Sequence, residues 1–164
     1  MDRISRKKSA DPEFAEASSG VVQFLGRKPV RVVIADDDPV ILDYLVDLVG
    51  ASFHVVGTAK DGRELVEAVK QLAPSVVVAD VAMPHASGIE AAKQITGLHH
   101  SPKVVLLSGY TDDALVDAAF EAGASAYVGK LSAFTDLIPA IEKVLEGRQF
   151  RSVFDSFPVT QALV

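Results

Sequence analysis

From Arg31 onward, short runs of β-branched residues alternate with longer amphipathic stretches, and this alternation constrains the fold more than any other property of the chain. The runs Val32-Val33-Ile34, Val55-Val56, Val76-Val77-Val78, Val104-Val105-Leu106-Leu107 and Ala126-Tyr127-Val128 have the length and composition of strands. The stretches from Val40 to Val49, Leu65 to Leu72, Ile89 to Ile95, Ala114 to Ala122 and Leu137 to Leu145 have helical spacing. A strand that is apolar throughout must be covered on both faces, and parallel βαβ units supply that cover. The expected fold class is α/β, a doubly wound five-stranded parallel sheet with five helices.

Local punctuation agrees with this order. Asp61-Gly62-Arg63-Glu64 and Ser87-Gly88-Ile89-Glu90 have the form of capping boxes, and Pro39 suits a first helical position, with Asp38 before it as N-cap. Gly97, Gly123 and Gly147 fall where helices should stop and are expected as left-handed caps. Pro139 lies awkwardly near the middle of the last stretch, so that helix should start late, near Thr135, or bend.

Composition narrows the function classes. With 164 residues, 49% of them hydrophobic and 23% charged, the chain can build one ordinary globular core. It has no cysteine, which excludes disulfides, thiolate metal sites and cysteine nucleophiles and suits a cytoplasmic location. A formal charge of −6 argues against phosphate-backbone contacts, so no direct nucleic-acid binding is expected of this segment. The longest near-continuous apolar run, Val76 to Met83, is interrupted by Asp80 and falls far short of the roughly 20 residues that span a bilayer, so no membrane contact is expected. Residues 1–29 begin with Arg3, Arg6, Lys7 and Lys8 without a signal-peptide core, and include Ala10-Asp11-Pro12-Glu13-Phe14, which has the character of translated cloning-site sequence. They are read as a disordered tail, linker or tag, with the domain at 30–150 and a C-terminal tail at 151–164.

In an open parallel sheet, sites form beyond the carboxyl ends of the strands. Here those ends are acidic: the first run leads into Asp36-Asp37-Asp38 and the third into Asp80, while the fourth leads into Ser108-Gly109 and the fifth is followed by Lys130. A carboxylate ending a buried strand costs several kcal/mol unless it is paired or metal-bound, so a cation should sit beside Asp80. Neighbouring carboxylates repel one another, and a hard divalent ion with oxygen ligands removes that repulsion, which points to Mg²⁺. The metal would leave Asp80 a plausible nucleophile toward a phosphoryl group, with Ser108 donating to one oxygen, Lys130 neutralising another and Gly109 leaving room.

Four segments, Ile34-Ala35-Asp36-Asp37-Asp38-Pro39, Val78-Ala79-Asp80-Val81-Ala82-Met83-Pro84, Leu107-Ser108-Gly109 and Ala126-Tyr127-Val128-Gly129-Lys130, resemble the receiver domains of two-component response regulators over about residues 30 to 150. The resemblance implies a flavodoxin-like fold, with Asp80 as phosphoacceptor. It implies Asp37 as a direct ligand of Mg²⁺ (or Mn²⁺), Asp36 as a ligand mostly through water, and the Ala82 backbone carbonyl as another. Ser108 and Lys130 would hold phosphoryl oxygens, and Tyr127 would be an aromatic switch following Ser108. The implied partners are a sensor histidine kinase or phosphotransfer protein and an effector domain or downstream protein, with homodimerisation on phosphorylation a further expectation. The implied chemistry is confined to the chain's own phosphorylation and dephosphorylation. The chain departs from the commonest receiver pattern at Leu131, where many receivers have proline. Leu131 and the ending Ala140 to Phe150 resemble the subgroup that precedes a helix-turn-helix, and the fourteen residues after Phe150 are too few to form one. A stand-alone receiver and a fragment both remain open.

Three rival readings are weighed against this. A nucleotide- or flavin-binding domain would want a glycine-rich phosphate loop where three aspartates stand. An aspartyl phosphohydrolase of the haloacid-dehalogenase type needs a second acid two residues beyond the nucleophile, and Ala82 occupies that position. A pseudo-receiver that only docks partners would not need the set Asp36, Asp37, Asp80, Ser108 and Lys130. His54, His85, His99 and His100 lack ligand spacing and are read as surface residues.

Overall fold

The computed structural model describes residues 28–154. Its strands are β1 (Arg31–Ala35), β2 (His54–Ala59), β3 (Val76–Asp80), β4 (Lys103–Ser108), β5 (Ala126–Gly129) and β6 (Phe150–Arg151). Its helices are α1 (Pro39–Gly50), α2 (Gly62–Leu72), α3 (Gly88–Thr96), α4 (Asp113–Glu121) and α5 (Ala133–Leu145), with a 3₁₀ turn at Lys130–Ser132. All strand pairs are parallel, in the order β2-β1-β3-β4-β5-β6. The doubly wound sheet with five helices is as expected. The two-residue β6 is an addition that nothing in the apolar pattern signalled.

Strand periodicity divides the core into two layers. Val33, Ala35, Val77, Ala79, Val104, Leu106 and Tyr127 point to one face, where Leu65 and Val69 of α2, Ala91 and Ile95 of α3, and Val116 and Ala119 of α4 cover them. Val32, Ile34, Val76, Val78, Val105, Leu107 and Val128 point to the other, under Leu45 and Val49 of α1 and Leu137, Ile141 and Val144 of α5. Each fully buried Val, Leu or Ile contributes roughly 1.5–3 kcal/mol of transfer free energy, which is why β3 can carry a carboxylate at its end and still hold the middle of the sheet.

Helix starts follow the sequence signals. Asp38 accepts from the N–H groups of Val40 and Ile41 at 2.9 and 3.3 Å, ahead of Pro39. Asp61 accepts from Glu64 N–H at 2.8 Å, but the Glu64 carboxylate reaches back to Lys60 N–H, one residue before the cap. Ser87 and Glu90 form the complete reciprocal box. Asp112 caps α4 by accepting from Leu115 N–H at 3.1 Å, a start the motif reading did not mark.

One expectation about helix caps needs correction, and of the two alternatives for the last helix the late start is excluded. Gly97 has φ −82°, a right-handed conformation, whereas Gly123 and Gly147 have φ +97° and +79°; the left-handed cap of α2 is instead Ala73, at φ 45°. α5 starts at Ala133, ahead of Thr135, so Pro139 lies inside it and withholds the N–H that the Thr135 carbonyl would have received.

Candidate metal centre

β1 ends at Ala35 and hands on two carboxylates, Asp36 buried and Asp37 exposed. Asp80 closes β3, the next strand in the sheet, and is buried as well. One oxygen from each of Asp36, Asp37 and Asp80 lies within 4.8 Å of the other two. Burial by the surrounding strands is what forces these oxygens to find partners, and each buried carboxylate turns one oxygen toward a local backbone N–H. Asp36 Oδ1 accepts from Asp38 at 2.9 Å and Asp80 Oδ1 from Ala82 at 3.2 Å.

The remaining oxygens share one cation. Lys130, directly after β5, places Nζ 2.9 Å from Asp80 Oδ2, to which it donates, and 2.8 Å from Asp36 Oδ2. The second contact has ion-pair distance without hydrogen-bond geometry, and Asp36 Oδ2 is left buried with no hydrogen-bond partner. Burial raises the Asp80 pKa above the ordinary carboxylate value, and Lys130 and the Ala82 N–H offset only part of that; the Asp36 charge adds to the rise. Burial alone would lower the Lys130 pKa, but its two carboxylate partners outweigh it and the pKa is raised.

These residues fit a hard divalent cation. Three carboxylates face one ammonium, which leaves two negative charges uncompensated, and the orphaned Asp36 oxygen is a donor of the oxygen type that Mg²⁺ or Mn²⁺ prefers. Of Ala82, expected to ligate through its carbonyl, the group in contact with the cluster here is the N–H.

Two close backbone approaches hold the Asp80 loop in place. A Cβ on Gly88 would overlap the Asp80 carbonyl oxygen, and one on Gly62 would overlap the Ala86 carbonyl oxygen. The N–H groups of these glycines donate instead, Gly88 to Val81 and Gly62 to Ala86, at 3.0 and 3.1 Å. In the sequence both glycines stand at the second place of a capping motif, and that position is the one signal of the close approach.

Ser108 ends β4 in register with Gly129, one residue beyond Leu107, which pairs with Asp80. It is buried, and its Oγ accepts from Tyr110 N–H at 2.9 Å rather than contacting Asp80. A Cβ on Gly109 would meet nothing within 4 Å, so the space expected there is present. Tyr127 is fully buried and donates its hydroxyl to the Tyr110 carbonyl at 2.7 Å. Burial pushes its phenol pKa up, only partly opposed by Ser108. The structure therefore brings Asp36, Asp37, Asp80 and Lys130 into one cluster and ties Ser108 to Tyr127 through Tyr110, a linker that sequence reasoning missed. Leu131, at the departure from the receiver pattern, lies fully exposed in the 3₁₀ turn that leads into α5. His54, His85, His99 and His100 are all exposed, as expected, and the rings of His99 and His100 meet edge to face at 4.8 Å.

Comparison with known proteins places this arrangement. Residues 32–142 match the family model described as the response regulator receiver domain. The transcriptional regulatory protein PdtaR of Mycobacterium tuberculosis is 39% identical over 126 residues, covering 76% of this chain and 60% of that protein. The chemotaxis protein CheY of Thermotoga maritima is 35% identical over 115 residues, covering 70% of this chain and 96% of that one. Among solved structures, a two-component response regulator of the LuxR family from Aurantimonas sp. superposes with a TM-score of 0.71 at 31% identity, over 75% of this chain and 89% of that one. The non-phosphorylated receiver domain of the stress response regulator RcsB from Escherichia coli gives 0.70 at 26% identity, over 77% and 100%. The chain spans 60% and 54% of the lengths of PdtaR and of LnrK from Bacillus subtilis. Because the matched residues run through every strand that supplies a side chain to the acidic cluster, the chain belongs to the receiver domains of two-component response regulators.

Proposed function

We propose that Asp80 accepts a phosphoryl group from the phosphohistidine of a sensor histidine kinase or phosphotransfer protein, and that the phosphorylated domain changes its interaction with an effector domain or downstream protein. The observation that carries this reading is the cluster of three carboxylates with Lys130 bridging the two buried ones. Asp36, Asp37, Asp80 and the Ala82 carbonyl would hold Mg²⁺ or Mn²⁺. The ion, when bound, supplies charge neutralisation for the carboxylates and the incoming phosphoryl oxygens.

The chain's own residues do the rest. An oxygen of the Asp80 carboxylate attacks phosphorus as the phosphorus–nitrogen bond breaks; the electron pair stays on the imidazole nitrogen, which takes up a proton. Lys130, already paired with the Asp80 oxygen, exchanges that contact for one to a phosphoryl oxygen. Ser108 gives up its acceptor role toward Tyr110 and donates to another. Tyr127, bonded to the same residue as Ser108, registers that change, and α4, β5 and α5 form the surface that responds. The chemistry is confined to the domain's own phosphorylation and dephosphorylation, it proceeds in the cytoplasm, and phosphorylation favours a homodimer.

The test is incubation with a small phosphodonor and Mg²⁺. The wild-type protein is expected to gain one acid-labile, hydroxylamine-sensitive phosphoryl group, which Asp80→Asn does not. Labelling retained in that variant overturns the assignment. A wild type that never labels, yet binds its partner without metal, is the behaviour of a pseudo-receiver.

A further inference from the structure

The chain does not leave the domain where α5 ends. Phe150–Arg151 pairs with Ala126–Tyr127 as the edge strand, with Phe150 N–H donating to Ser125 and Ser152 N–H to Tyr127, at 3.2 and 3.0 Å. Two residues of strand are far too short to hold themselves to a sheet. Side chains supply the difference. Ser152 is buried; its Oγ accepts from Gly129 N–H at 3.3 Å, lies 3.3 Å from Ser132 Oγ, and donates to Asp136 on α5. The Phe154 ring stands edge-on to Tyr127 with centroids 6.1 Å apart, over a glycine whose Cβ would come within 2.8 Å of it. Arg151 adds an exposed ion pair with Asp113 on α4, of small weight, and Lys143 lies over the Phe150 ring at 4.9 Å.

Several contacts of this segment end beside the acidic cluster, while the Ser152 bond to Asp136 ends on α5. Gly129 and Ser132 flank Lys130, the cation on Asp36 and Asp80, within the same short turn. Tyr127, against which Phe154 packs, is bonded through Tyr110 to Ser108. The route through Lys130 reaches the cluster directly, and the route through Tyr127 reaches Ser108 at the same edge of the sheet, which joins the cluster only when it turns to a load on Asp80.

We propose that Phe150–Phe154 is a segment docked in cis, through the short β6 and the side chains that follow it, whose hold on the β5 edge is set by the state of the acidic cluster, so that loading the cluster is transmitted to the chain that continues beyond Phe154. The nature of the load rests on the phosphoacceptor reading; the coupling itself does not. By linkage the effect is reciprocal: a load that loosens or tightens the strand is itself bound more tightly or weakly, by the same factor, when the strand is weakened.

The experiment is amide hydrogen exchange on the full chain, read at Ser152 and Gly129 against core amides of β3 and β4. Without ligand, Lys130→Gln is expected to change protection at Ser152 and Gly129 by about fivefold or more, the lower end of usual coupling, while Val77 and Leu106 keep theirs. Tyr127→Phe, which keeps the ring under Phe154 and drops the hydroxyl to Tyr110, tests the second route and serves if Lys130→Gln does not fold. With Mg²⁺ and beryllofluoride as the load, protection at Ser152 should shift by a factor that Ser152→Ala reproduces as a change in beryllofluoride affinity. Unchanged protection at Ser152 in the ligand-free variants overturns the proposal, as does a wild type in which beryllofluoride alters residues 80 and 108 but not 149–154. A wild type that takes up no beryllofluoride defeats the phosphoacceptor reading alone, and the ligand-free variants then decide the coupling.

Discussion

Lys130 Nζ lies 2.9 Å from Asp80 Oδ2, although the two residues are fifty positions apart in the chain. The contact exists because β5 and β3 both end at the same edge of the sheet, with β4 between them. It makes Lys130 the resident counter-ion of a cluster that is still two charges short of neutral, and that shortfall underlies the first two predictions.

Mg²⁺ or Mn²⁺ should raise the melting temperature of the wild type, since an ion that binds only the folded cluster stabilises it by RT ln(1 + [L]/Kd), about 2.7 kcal/mol at a hundredfold excess over Kd. Asp37→Ala should lose most of that shift while leaving the metal-free melting temperature nearly unchanged, because Asp37 is exposed. A wild type whose melting is indifferent to both ions would contradict the metal assignment.

In chelator, Asp80→Asn should be more stable than the wild type at pH 7, and the gap should narrow as the solution is acidified. The folded-state pKa of Asp80 is raised above its unfolded value of 3.8, chiefly by burial. Its contribution is therefore fully present below 3.8 and lost as pH rises through the higher folded value, so at neutral pH the ionised carboxylate subtracts from stability. Urea denaturation of the two proteins at several pH values between 4 and 7 reads the sign directly; a gap that widens on acidification would refute it.

Gly88→Ala should destabilise the protein by about 1–3 kcal/mol and weaken metal binding as well, because the added methyl must displace the Asp80 backbone rather than a flexible side chain. Gly109→Ala, whose Cβ would meet open space, is the control and should be within about 0.5 kcal/mol of wild type. Equal stabilities for the two variants would show that the β3–α3 loop has more freedom than its packing implies.

Tyr127→Phe should cost about 0.5–1.5 kcal/mol, since it removes the donor from the Tyr110 carbonyl and leaves the ring's packing in place. Chemical denaturation measures the loss. No loss would mean that the Tyr110 carbonyl finds water without help.

The amino-acid sequence by itself determined the order of strands and helices, the caps at Asp38, Asp61 and Ser87, and the identity of the residues at the acidic edge. The reason is that each of these is written in short-range terms: apolar runs of strand length, helical spacing, a carboxylate or hydroxyl three residues ahead of an N–H, an aspartate closing a buried run. Even the demand for a cation beside Asp80 was legible, because an unpaired buried charge is too costly to leave alone. What lay beyond reach depended on distance through space. Only the folded sheet decided that Lys130 would bridge Asp36 and Asp80, meeting Asp36 Oδ2 at ion-pair distance without hydrogen-bonding it, or that Tyr110 would join Ser108 to Tyr127. Gly97 is not the left-handed cap its glycine suggests, and Ala73 is one without a glycine, because a left-handed cap is set by where the chain must next go, which composition only biases. The docked segment at Phe150–Phe154 had no periodic signature at all: two residues of strand and one buried serine are held by partners on β5, the 3₁₀ turn and α5, and those partners become neighbours only once the sheet has closed over its core.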